Sequence, residues 1–204
     1  MNIFFTADLH LGHKNILEYT NRHYSDINEM DKGIIDNFNS IVGRKDLTYI
    51  LGDFAWNNHS RYLNALNGKK ILVKGDHDKM SEDVLQQFTR VYDFGANIQI
   101  DGQRLTLCHW PMRSWRKSFN GRSWHFYGHT HGRTSEYPDV YSCDVGVDVW
   151  ACFPAPWEVL KKKMHDKQER QLQSKQELDA RIQQLLESNM NYFSLWRQNE
   201  TRKN

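Results

Sequence analysis

The sequence predicts a layered α/β fold followed by a helical tail, on three observations. Short apolar runs alternate with segments of helical periodicity through the first ninety or so residues. Two strand-like runs then meet at Asp101-Gly102, a tight hairpin signal. Beyond Pro154 and Pro156 the chain becomes polar and helix-forming.

Residues 3–8 (IFFTAD) are apolar and rich in β-formers, which predicts the first strand. Met30, Ile34, Ile35, Phe38, Ile41 and Val42 recur at helical spacing, predicting a helix over 30–42. LTYILGD (47–53) predicts a second strand and KKILVKG (69–75) a third. Between them Arg61 to Leu66 predicts a short helix with Tyr62, Leu63 and Leu66 on one side. Ser81 is placed to cap a helix running through Val91, with Leu85 and Phe88 inward. After the 97–108 hairpin, HFYGHTHG and VYSCDVGVDVW predict further β-structure. In the tail, Leu178, Ile182, Leu185 and Leu186 form a narrow apolar stripe, extended by Met190 and Phe193. Such a stripe folds back onto its domain, pairs with a second copy in a homo-oligomer, or binds a partner. The expected organisation is one domain over residues 1–157 and an amphipathic helical tail over 158–204.

Composition narrows the classes. A chain of 204 residues with 13% aromatic and 25% charged residues can bury a sizeable core. No apolar run approaches the roughly 18 residues that span a bilayer, so no membrane partner is expected. The start, MNIFFTADLH, lacks a basic leader segment. Cys108, Cys143 and Cys152 are too few and oddly numbered for a disulfide framework, which predicts a cytoplasmic setting. Residues 158–204 hold 10 basic and 7 acidic residues, against 17 and 18 before them. A near-neutral body argues against nucleic-acid binding over the whole surface.

The predicted strands end alike: FTADLHLGH, YILGDFAW, LVKGDHDK, LTLCHWP and HFYGHTHG. In α/β folds ligand sites gather at the carboxyl ends of strands. Asp8 and His10 are two apart, so on extended backbone they point the same way, as do His129 and His131. Asp8, His10, Asp53, Asp76, His109, His129 and His131 together supply three carboxylates and four imidazoles. Buried charge without a partner costs several kcal/mol. Seven such groups around one point therefore require cations among them, and their number suits two metals sharing one carboxylate. A lone Gly-Asp after a strand is most often a turn or a cap. Five such pieces in order are not.

These residues resemble the motifs of the calcineurin-like metallophosphoesterases, most closely the small bacterial and phage members. The matching pieces are Asp8-Leu9-His10, Gly52-Asp53, Gly75-Asp76-His77-Asp78, His109 and Gly128-His129-Thr130-His131, within residues 1–157. The resemblance implies a four-layered α/β/β/α sandwich of two mixed sheets flanked by helices. It also implies a dimetal centre. Asp8, His10 and His131 would hold one ion, Asp76, His109 and His129 the second, and Asp53 would bridge. His77 would face the scissile phosphate, stabilising the transition state or protonating the leaving oxygen, with Asp78 orienting it and raising its basicity. A hydroxide held between the ions would attack phosphorus in line. Oxygen-rich ligation favours Mn, and the mixed shell also admits Zn, Fe or Ni. Two positions depart from the family pattern. Cys108 stands where the lone His is normally preceded by Gly, and Asp76 stands where the family has Asn.

Between His109 and Gly128, Arg113, Arg116, Lys117 and Arg122 are interleaved with Trp110, Trp115, Phe119, Trp124 and Phe126. Guanidinium groups read phosphate oxygens and aromatic faces stack on bases. Arg113, four residues past His109, is the expected substrate contact. The competing reading has the tryptophans packing a sheet and the cations solvated. Asp148 is placed to support a ligating histidine, and a strand-end turn explains it nearly as well. The leading expectation is a phosphodiesterase acting on a small, nucleotide-like or other phosphoester. The alternatives are a phosphomonoesterase, a nuclease, or a non-catalytic scaffold acting through its tail.

Overall fold

The structure, a computed structural model, describes residues 1–134 and 140–201, and the side chains of residues 120, 189 and 191–201 lie outside that description. The chain divides into two compact units, Met1–Met164 and His165–Asn204.

The first unit is a sandwich of two mixed sheets flanked by helices. One sheet has five strands: β1 (Ile3–Thr6), β2 (Leu47–Ile50), β3 (Lys69–Val73), β4 (Arg90–Tyr92) and β9 (Ala155–Pro156), in the order β4-β3-β2-β1-β9. Its first four strands run parallel, and β9 closes the edge antiparallel to β1. The other sheet holds β5 (Gly95–Ile100), β6 (Gln103–Cys108), β7 (Ser123–Tyr127) and β8 (Ser142–Asp144) in chain order. β5 and β6 form the expected hairpin, with Asp101 (φ 48) and Gly102 (φ 81) as its two-residue turn. Both central residues at positive φ match the right-handed twist of the strands.

Two cores follow from strand alternation. Phe5, Tyr49, Leu51, Ile71 and Val73 point from the first sheet toward Leu105, Leu107, Trp124 and Phe126 of the second. The opposite face of the first sheet, with Phe4, Ile50 and Leu72, is covered by α2 (Ile27–Ile41) and α3 (His59–Ala65) through Met30, Ile34, Phe38 and Leu63. α2 begins at Asp26, whose carboxylate accepts from the amides of Asn28 and Glu29, a cap worth about 1 kcal/mol. A short α1 (Ile16–Thr20) precedes it.

The expected helix from Ser81 through Val91 is not formed. α4 stops at Glu82–Leu85, and Arg90–Tyr92 pair with Ile71–Val73 as an edge strand. An open parallel edge lies beside Val91 and Tyr92, and pairing there satisfies their backbone while their side chains suit a pleated surface. Ser81 sits at the N-cap position without a side-chain bond.

α5 runs from Trp157 to Thr201. Trp157, Leu160 and Met164 belong to the core of the first unit. In the second unit the predicted stripe is exposed at Leu178, Ile182, Leu185, Leu186 and Met190. Phe193 lies outside the described side chains. Among the described residues no helix is long and apolar enough to cross a membrane.

Candidate metal centre

The register of both sheets brings the polar strand ends together. Thr6 pairs with Ile50 and Ile50 with Leu72, so the loops after β1, β2 and β3 leave one sheet edge side by side. Leu107 pairs in parallel with Phe126, which sets His109 beside the 128–131 loop. The amide of His129 then donates to both Asp8 carboxylate oxygens, at 3.0 and 2.8 Å, tying one sheet to the other.

The backbone here departs from the extended form expected of the Asp8/His10 and His129/His131 pairs. Asp8 (φ 57), His10 (φ 50), Asp53 (φ 55), His129 (φ 70) and His131 (φ 50) are all left-handed. Each such residue costs on the order of 1–2 kcal/mol of backbone energy, although Asp tolerates this region better than most. Strain concentrated on five of seven candidate ligands marks a site. Close packing demands the neighbouring glycines: a Cβ at Gly52 would lie 2.4 Å from His109 Nδ1, and one at Gly128 2.4 Å from Ala7 Cβ.

All seven predicted ligands converge. Asp8, His10 and His131 form one group whose ligand atoms lie within 4.8 Å of one another, and Asp76, His109 and His129 form another. Asp53 lies between them. Its Oδ2 is 3.4 Å from His10 Nε2 and 3.5 Å from His109 Nε2. His109 Nδ1 is bonded to the Leu51 carbonyl at 2.8 Å, which leaves Nε2 to face the cluster. His10 Nε2 is buried and has no hydrogen-bond partner.

Burial works against the charged forms of Asp8, His10 and His129. Burial, then the charges of Asp53 and Asp144, push Asp8 well above the usual carboxylate range. Burial, then Arg22 and the neighbouring imidazoles, pull His10 down to about 2. Burial and His109 pull His129 down as well. One carboxylate pushed up, two imidazoles pushed down and an orphaned buried nitrogen are together what a divalent cation would relieve. The donor set fits divalent metal ions.

Several supporting residues are not evident in the sequence. Arg22, buried, donates through Nε and Nη2 to both oxygens of Asp148, and through Nη1 and Nη2 to the carbonyls of Leu9 and Asp8. Asp148 accepts from His131 Nδ1 at 2.7 Å, as its position suggests. Burial raises the Asp148 carboxyl, but the bonds from Arg22 and His131 outweigh it and bring it down to about 2. His13 lies 3.3 Å from His10, and buried Asp144 holds Thr130 Oγ1.

Two expected roles need correction. Asp78 does not orient His77: its carboxylate accepts the amides of Asp53, Phe54 and Gly75 at 2.7–3.0 Å. A buried carboxylate without a cationic neighbour is satisfied by clustered amides, and Asp78 therefore knits two ligand loops together. Arg113 is exposed and does not line the cleft over the cluster. That cleft, of about 490 Å³, is also lined by Tyr19, Trp56, His77 and Arg133. The Arg133 guanidinium donates to the Tyr19 carbonyl. Of the aromatics after His109, Trp115, Trp124 and Phe126 are buried, so packing accounts for them. Trp110 instead donates to Asp76 Oδ2 at 3.1 Å.

Fold and side chains thus define a two-sheet α/β sandwich with an Asp/His cluster able to hold metal ions at one edge. No family model matches the chain. An uncharacterized protein of Methanocaldococcus jannaschii is 32% identical over 170 residues, covering 78% of this chain and 89% of that protein. The chain belongs to the family of that archaeal protein. The gene 66 protein of Mycobacterium phage D29 is 26% identical over 200 residues, covering 82% of this chain and 98% of that one. A protein of unknown function from Aquifex aeolicus shares the fold, with a TM-score of 0.65 and 24% identity over 79% of this chain and 98% of its own.

Proposed function

We propose that the protein is a metal-dependent phosphoester hydrolase of the calcineurin-like kind, acting on phosphodiesters of a nucleotide-like or other small substrate. The observation that supports this most directly is Asp53 Oδ2, which faces His10 Nε2 at 3.4 Å and His109 Nε2 at 3.5 Å with a ligand group on either side. In this reading Asp8, His10 and His131 hold one divalent ion, Asp76, His109 and His129 hold the other, and Asp53 is shared. Bound divalent ions would supply Lewis acidity toward phosphoryl oxygens and a water acidified to near-neutral pKa.

The chain supplies the rest. His77 is exposed in the cleft while its amide is anchored on Asp53 Oδ1 at 2.9 Å, so its imidazole is held beside the cluster without joining either ligand group. It protonates the departing oxygen. Arg133, on the cleft rim, offers a fixed positive charge to an anionic substrate. Mn is the ion the carboxylate share favours.

Metal analysis tests the proposal. Purified protein loaded with Mn, Zn, Fe or Ni should hold two ions per chain and hydrolyse an aryl phosphodiester, with Mn most effective. Chelation should abolish turnover, and Asp53→Ala should release both ions. Full turnover by the chelated protein would end the proposal.

A further inference from the structure

Rings stand on both ends of the ligand cluster, and none of them takes part in it. On the His10 side, the imidazole of His13 lies parallel to Trp56, with centroids 4.2 Å apart and planes 11° apart, and meets Tyr19 edge-on at 6.2 Å. Trp56 is 50% and Tyr19 57% exposed, and both line the cleft. The Trp56 ring also lies 5.3 Å from that of His77. On the Asp76 side, Trp110 donates to Asp76 and stacks on Phe94 at 5.5 Å and 25°, and Phe94 is 62% exposed.

These exposed rings are held in place. Trp56 N donates to the Leu11 carbonyl at 2.8 Å, and Leu11 bridges to Ala55, so Trp56 is fixed to the same loop that carries Asp8 and His10. The carbonyl of Phe94 accepts from Cys108 Sγ, which gives the Cys before His109 a positional use. Large apolar rings fixed on rigid backbone yet left in solvent mark recognition surfaces. Rings that are already ordered lose little freedom when a planar group stacks on them.

We propose that the Tyr19–His13–Trp56 group and the Phe94–Trp110 pair are stacking subsites for planar groups on the two sides of one phosphodiester. The substrate class is then a linkage between two nucleosides, a dinucleotide or a short single strand. This rests on the hydrolase reading for the placement of the phosphate between the subsites. A phosphomonoester has one organic substituent and would use one subsite. Stacking tolerates any base, so the subsites select the class of substrate and not its sequence. The near-neutral body of the chain agrees with a short strand gripped locally and not with a long polyanion.

The test is equilibrium titration of the metal-loaded protein with the dinucleoside monophosphate TpT, with hydrolysis followed in the same samples. Trp56→Ala and Phe94→Ala alter exposed rings outside the ligand set. Each should weaken TpT binding by roughly 5- to 150-fold, the usual worth of one stacked base, with metal content unchanged. The doubly substituted protein should bind TpT no better than it binds dimethyl phosphate. Failure of the native protein to bind TpT, or binding within twofold of native by both single variants, overturns the inference. Tight, ring-dependent binding without hydrolysis would leave the subsites standing and remove the hydrolase reading instead.

Discussion

Arg22 and Asp148, 126 positions apart in the chain, form a largely buried two-pronged ion pair with nitrogen–oxygen distances of 2.8 and 2.9 Å. Asp148 passes that restraint to His131, while Arg22 holds the carbonyls of Asp8 and Leu9. One guanidinium thus fixes candidate ligands from both sheets, and a planar fork does this where an ammonium cannot. Removing either partner outright would strand a buried charge at about 3–5 kcal/mol, so gentler changes are needed. Arg22→Lys and Asp148→Asn should each weaken one ion, that of the Asp8/His10/His131 group, by roughly 10- to 100-fold. The ion of the Asp76/His109/His129 group should remain. Metal titration resolves the two, and equal loss of both ions would assign the pair to folding alone.

His77 faces the cleft without belonging to either ligand group. His77→Gln should therefore keep both ions and cut kcat by roughly 10²–10⁴-fold, as loss of a positioned proton donor does. The deficit should shrink with leaving groups that need no proton, such as p-nitrophenolate. Loss of metal from this variant would show that His77 had been misplaced among the donors.

The candidate ligands were legible because metal chemistry restricts residue type at each strand end, so five short pieces point to seven side chains that converge. The elements were legible where one period dominates, as at Met30–Phe38 and at Asp101-Gly102. What escaped depends on distance or on backbone. Nothing near Arg22 in the chain announces a partner at Asp148, and Trp56 beside Gly-Asp looks like any aromatic after a strand. Left-handed φ at five candidate ligands is invisible in composition, and the extended backbone expected of the i and i+2 pairs is not formed there, although Asp8 and His10 still meet in one group. β4 escaped because pairing with β3 outweighs the local helical tendency around Leu85. Asp78 was misjudged because its chain neighbour His77 is not its bonding partner.

His125 lies outside the candidate centre and is fully buried, with Nδ1 on the Thr106 carbonyl at 2.9 Å and Nε2 accepting from the Met112 amide at 3.1 Å. Burial pulls it down to about 4, against a usual 6.5. The unfolded chain then binds a proton that the folded chain refuses. Its contribution is complete above pH 6.5 and lost as pH falls toward 4, about 3 kcal/mol in all at about 1.4 kcal/mol per pH unit. Denaturant unfolding from pH 7 to 4 should show this loss, and His125→Gln should flatten the curve in that window. Parallel curves for the two proteins would exclude His125 as the source.

The stripe at Leu178, Ile182, Leu185 and Leu186 is exposed, and pairing with a second copy is the occupant to test first. Truncation after Met164 spares Trp157, Leu160 and Met164 in the core and every candidate ligand. The shortened chain should bind two ions and sediment as a smaller oligomer than the full chain. Sedimentation of the full chain as a monomer would leave the stripe to some other partner.

Asp76 supplies a third carboxylate to the cluster, where the resembling family has Asn. Its Oδ2 lies 3.3 Å from His129 Nδ1 and 3.8 Å from His109 Nε2 and accepts from Trp110. Three carboxylates against two divalent ions leave a formal +1, whereas Asn at this position would leave +2. The additional negative charge should tighten the second ion and weaken its pull on a phosphate anion. Asp76→Asn should therefore raise kcat/KM, more for a doubly charged monoester than for a singly charged diester, while loosening one ion in metal titration. The amide oxygen can still accept from Trp110 Nε1, so the stacking pair with Phe94 should be retained and the comparison isolates charge. A fall in kcat/KM at saturating metal would refute this electrostatic account and assign the carboxylate a direct part in proton transfer.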